Sequence, residues 1–129
     1  MDVKQAQKQR NFYLKNQVLT ASPNKLISLL ISGGIKAIKL AEIALNQNDM
    51  VKANHELLRA QDIVDELKFS LDHSVDSQIT TDLNRLYNFI TQQLVAANVS
   101  KDKEKLPPIV KLLEELLETW NEVSQKQNI

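Results

Sequence analysis

The sequence has no cysteine, which excludes disulfides, thiolate-ligated zinc and thiol chemistry. Only two glycines and three prolines occur in 129 residues. So little turn-forming material leaves room for few connections. The supply of Leu, Ile, Ala, Lys, Gln and Glu then points to helices joined by short breaks. Neither sign of charge dominates, because Lys and Arg total 16 and so do Asp and Glu. That balance gives no overall footprint for nucleic acid or an anionic membrane surface, and neither is expected as a partner. No apolar run approaches the roughly 20 residues needed to cross a bilayer, so no membrane insertion is expected. Residues 1–16 are polar and do not read as a secretory signal, which makes the cytoplasm the expected compartment. The length suits one domain, without internal repeats or low-complexity segments.

Catalytic constellations are missing as well. Di-metal sites in helical bundles need Glu-x-x-His pairs, but Lys52 precedes His55 by three residues and Ser70 precedes His73. Gly33-Gly34-Ile35-Lys36 lacks the spacing of a phosphate loop and follows a helix rather than a strand. Glu114, Glu115, Glu118 and Glu122 read as a solvated acidic helix side, and Lys101-Asp102-Lys103-Glu104-Lys105 as a mixed-sign solvated break. No enzyme, cofactor or metal is expected.

What is present is helical periodicity. Residues 1–19, rich in Gln, Lys and Asn, carry too few apolar side chains to hold a helix to a core and read as a mobile arm. The bundle domain is expected over 20–125, with a short tail at 126–129. Ser22 is a helix N-cap with Pro23 at the first helical position, where its missing N–H loses nothing. Leu26, Leu30, Gly33, Ala37, Ala41 and Ala44 then recur on one face. Asn46-Gln47-Asn48-Asp49 breaks the pattern, with Asp49 as the next N-cap. The second helix carries Leu57, Ala60, Val64, Leu67 and Leu71, and ends near Asp72-His73-Ser74. The third carries Ile79, Leu83, Leu86, Ile90, Leu94 and Ala97 before a polar break at 98–103. The fourth carries Ile109, Leu113, Leu116, Trp120 and Val123. Pro107-Pro108 favours a start for it at about Leu106 over a kinked turn from Asp102. The expected fold is an all-α antiparallel four-helix bundle with a mobile N-terminal arm.

The helices are more apolar than one seam requires. Ile27, Ile31, Ile35, Ile38 and Ile43 in helix one, Leu58 and Ile63 in helix two, and Val110, Leu112 and Leu117 in helix four form a second set. Such residues belong either to a broad buried stripe or to a face that takes a partner. The two glycines sit in the middle of helix one, where each costs roughly 1 kcal/mol relative to Ala. Gly33 shares the face of Leu26, Leu30 and Ala37, the expected core seam. Gly34, about 100° around the helix, lies with Ile27, Ile31 and Ile38, the face expected to line a groove.

Several strings then match a known family. Tyr13, Val18-Leu19-Thr20-Ala21-Ser22-Pro23, Leu26, Leu30 and Gly33 resemble the opening of the flagellar secretion chaperones, the flagellin-specific export chaperones. Asn54, Leu57, Arg59-Ala60-Gln61-Asp62-Ile63-Val64-Asp65-Glu66-Leu67 and Ser70-Leu71-Asp72 continue the likeness. Leu86-Tyr87-Asn88-Phe89-Ile90, Leu94, Ala97-Asn98, Asp102 and Trp120 complete it. The resemblance implies a cytoplasmic bundle that binds the C-terminal segment of new flagellin in apolar grooves. It also implies that the bundle prevents early polymerisation and delivers the client to the type III export gate. The arm is expected to cover part of that surface when no client is bound. Candidate client contacts are Tyr13 in the arm and Ile27, Ile31, Gly34 and Ile38 on helix one. Asn54, Leu57 and Gln61 on helix two and Leu86 and Tyr87 on helix three complete the set. The alternative is a structural bundle that self-associates as a weak homo-oligomer through its extra apolar faces.

Overall fold

The computed structural model describes residues 23–71 and 77–127. The expectations for the arm and for the Ser22 cap lie outside the described residues, whereas helix two, expected to end near Asp72, stops at Phe69 with Ser70 as its C-cap. Four helices account for nearly all the rest: α1 (Pro23–Asn46), α2 (Met50–Phe69), α3 (Gln78–Ser100) and α4 (Leu106–Gln127). A 3-10 turn, Lys103–Lys105, precedes α4. No strand occurs among the described residues, and the fold is the expected all-α four-helix bundle. Helix α4 runs through Gln127, two residues past the boundary expected at 125.

The breaks between helices have local causes. Asn48 turns the chain at φ 56°, a left-handed angle that Asn tolerates better than most residues. The Asp49 side chain then accepts from the Lys52 backbone N–H at 3.1 Å, the expected N-cap of α2. A connection this short makes α1 and α2 antiparallel neighbours. Ser77 caps α3 in the same way, accepting from the Thr80 N–H at 3.1 Å.

The break expected at 98–103 begins later than its polarity suggested, because α3 continues to Ser100. Lys101, not a glycine, takes the left-handed C-cap position at φ 54°, and its backbone N–H reaches the Ala97 carbonyl. Its ammonium folds back onto the carbonyl and side-chain oxygens of Asn98, at 2.5 and 2.6 Å. Asp102 caps the 3-10 turn by accepting from the Glu104 N–H at 3.0 Å. The prolines follow in the first turn of α4, where no intrahelical hydrogen bond is lost.

Helix α1 is gripped on two sides. It packs most extensively on α2 and next on α4, whereas α3 rests chiefly on α2 and meets α4 only thinly. This corrects the expected division of α1 into a core seam and an open second face. Ile31 and Ile38 are 0 % exposed, and Gly34 is buried between Ile63 of α2 and Leu113 of α4. Of the residues expected on the seam, Ala37, Ala41 and Ala44 are buried too, while Leu26 and Leu30 are only partly so. A helix wedged between two neighbours buries both halves of a broad apolar face. Gly33, placed on the seam from sequence, is instead at its half-exposed edge.

Candidate functional site

The candidate contacts divide sharply by depth. Ile31, Ile38 and Leu57 are 0 % exposed and Tyr87 is 4 % exposed, so they form the body of the bundle. Burial also pushes the Tyr87 hydroxyl pKa up from its ordinary value, because the phenolate would lose its hydration there. Ile27 and Leu86 are half-buried and packed against the core margin. Gln61 is half-buried and Asn54 is exposed. Tyr13 lies outside the described residues.

Asn54 and Gln61, seven residues apart, do share a face of α2, and it is the flank toward α3. Asn98 donates its side-chain amide to the Asn54 side-chain oxygen at 2.9 Å. Two turns beyond Gln61, Lys68 donates to the side-chain oxygen of Asn88 at 2.5 Å. These cross-links tie α2 to α3 near both ends of their shared seam. Asn54 is therefore held by the bundle itself, a role not weighed from its sequence position.

Several large apolar side chains remain accessible, among them Phe69 at 86 % and Ile79 at 73 %, the latter expected on the apolar face of the third helix. Phe89 on α3 is 48 % exposed and Val123 at the end of α4 is 44 % exposed. A second exposed strip comprises Val51 and Leu58 of α2 with Val95 and Val99 of α3. Phe89 stands one position before core residue Ile90, so a pattern of three- and four-residue steps skips it. Its place in the matched Leu86-Tyr87-Asn88-Phe89-Ile90 string was the available signal.

Polar chemistry near these faces is sparse. Lys39 approaches Glu114 at 3.9 Å, and Ser28 donates to the Asn121 side chain at 2.8 Å, both between α1 and α4. One carboxylate oxygen of Glu56, a residue only 4 % exposed, has no hydrogen-bond partner. Among the described residues no cluster of His, Cys, Asp or Glu is arranged to hold a metal ion. Among them, too, no helix is long and apolar enough to cross a membrane. The arrangement offers surfaces for association rather than groups for covalent chemistry.

Comparison with known proteins gives these surfaces their context. A crystal structure of a bacterial flagellar chaperone superposes with a TM-score of 0.76 over 94 % of this chain and 98 % of that one. At 21 % identity that likeness speaks for the fold. The flagellar secretion chaperone FliS of Salmonella typhimurium is 32 % identical over 114 residues, covering 88 % of this chain and 84 % of the relative. Its Bacillus subtilis counterpart is 30 % identical over 115 residues, covering 89 % and 85 %. Those relatives are named as chaperones, in keeping with a bundle that offers apolar surface, and the family model described as flagellar protein FliS spans residues 5–127. By that match, which takes in all four helices, the chain belongs to the FliS family of flagellar secretion chaperones.

Proposed function

We propose that this protein is a cytoplasmic export chaperone that binds the C-terminal segment of unassembled flagellin. In this reading it keeps the segment from polymerising early and delivers it to the flagellar type III export gate. The observation that carries the reading is the set of large apolar side chains left exposed on a bundle whose core is already filled. Phe69, Val51 and Val99 bury little within the chain, Phe89 and Val123 only about half of their surface, and apolar surface of this kind marks a site of association.

The physics suits such a client. An amphipathic segment that lacks its partner must hide its apolar face, and a helical groove satisfies it without covalent chemistry. Ordering the segment consumes about 2–5 kcal/mol of the gross interaction, which keeps the complex reversible. Titrating the full chain with a flagellin C-terminal peptide, read by calorimetry and size-exclusion chromatography, should give a 1:1 complex. Self-association without peptide binding would establish the structural reading instead.

A further inference from the structure

We propose that two copies of this chain pair through the outer face of α2, antiparallel, about a two-fold axis at the level of Ala60. This inference does not rest on the flagellin reading. It adds a partner of its own, a second copy of the same surface.

The inner sides of α2 are occupied by α1 and α3. Its third side faces solvent, yet it is not the polar face of an ordinary surface helix. At about 100° per residue, Val51, Leu58 and Phe69 fall within one narrow arc, and they are 83 %, 46 % and 86 % exposed. Val99 of α3, 82 % exposed, stands at the Val51 end, where the adjoining Asn54–Asn98 hydrogen bond joins the two helices.

Charge along α2 is segregated by sign. Lys52, His55 and Arg59 belong to the first half, and Asp62, Asp65 and Glu66 to the second. The two residues that break the order point elsewhere. Glu56 is buried, and Lys68 is turned to Asn88 of α3.

A row of this kind is its own complement when reversed, which is what a two-fold interface requires. In an antiparallel pair centred at Ala60, positions equally far from residue 60 stand opposite one another. Val51 and Val99 then receive the Phe69 of the second copy. Arg59 comes opposite Asp62, and His55 opposite Asp65 and Glu66, with every contact made twice. A parallel pair would set like charges against each other along the whole helix. The face is 20 residues long, about 30 Å, and one helix wide. That is less than the roughly 800 Å² per partner of a standard interface, so the pair should be reversible and depend on concentration.

Sedimentation velocity of the full chain over a range of concentrations tests the pairing. The wild type should move from monomer toward twice the monomer mass, and less readily at high salt. The double variants Lys52→Glu/Arg59→Glu and Asp62→Lys/Glu66→Lys each oppose like charges across the axis. Each alone should lose roughly tenfold or more in dimer affinity, and an equimolar mixture of the two should pair again. Phe69→Ser should weaken the dimer, whereas Val123→Ser on α4 should leave it unchanged. Circular dichroism spectra confirm that every variant keeps its helical content. A wild type that stays monomeric at every concentration overturns the pairing, as does a mixture of the double variants that fails to associate. Equal losses for Phe69→Ser and Val123→Ser overturn it too. Flagellin peptide affinity that falls with Phe69→Ser, in a chain that does not self-associate, assigns this face to the client instead. A dimer that mixes as expected but binds no flagellin peptide overturns the flagellin reading and leaves the pairing standing.

Discussion

Gly34 of α1 lies against Ile63 of α2 so that a methyl group on the glycine would stand 3.4 Å from the isoleucine Cγ2. The same methyl would be 3.7 Å from Leu113 Cδ1 of α4. Three helices therefore converge on a position with no side chain of its own.

That convergence reverses the sensitivities expected from the face of each glycine. Gly34→Leu should overfill the junction and destabilise the protein by about 1–3 kcal/mol or more. Gly33→Leu should cost less, because Gly33 is half-exposed and a Cβ there meets only the end of Ile63, at 3.5 Å. Neither glycine has a positive φ. Alanine at Gly34 makes ordinary contacts and should gain about 0.4–1 kcal/mol by restricting the unfolded chain. Thermal melts of the three variants check the order. A Gly33→Leu protein that melts below Gly34→Leu would refute it.

The Asn54–Asn98 bond makes a separate, quantitative expectation. A double-mutant cycle with alanine at both positions should return a coupling near the low end of the 0.5–1.5 kcal/mol typical of a hydrogen bond, since Asn54 is exposed. Asn98→Ala should be the more damaging single change, because it also removes an acceptor from Lys101. Flagellin affinity should follow stability alone. An Asn54→Ala protein that melts normally but binds the peptide poorly would make Asn54 a client contact instead.

Tyr13 retains its proposed part in client handling through its spacing from Ser22-Pro23. Tyr13→Ala should alter flagellin binding or export several-fold while the melting temperature stays near wild type, which follows from the arm expected of residues 1–19. Unchanged binding together with unchanged export would remove Tyr13 from the proposal.

Where one seam dominates a helix, its central turns were readable in the sequence, although Ile79 at the start of α3, expected on the same face, is 73 % exposed. Leu57, Ala60, Val64 and Leu67 of α2 and Ile90, Leu94 and Ala97 of α3 step by three and four, and all are buried. In α1 the same method found the apolar residues and misjudged their direction. Periodicity reports an apolar arc, and a helix held by two neighbours has an arc too wide to tell a second core face from an open one. Asn98 misled for a related reason. An amide reads as a break in a one-dimensional pattern, but here it bonds across to α2 within a continuing helix. Phe89 was missed because exposed apolar residues off the seam carry no period of their own. Only their position on the assembled bundle shows what they border.

The pairing of α1 with α2 has a consequence in time. These helices are joined by residues 47–49 and share the most extensive seam of the bundle. Closing so short a loop loses little chain entropy, and such sequence-local contacts form rapidly. During synthesis, which adds about 5–20 residues per second, this hairpin leaves the ribosome well before α4 exists. The last helix then meets a partner already folded back on itself, and its arrival covers the flank of α1 that the hairpin leaves open.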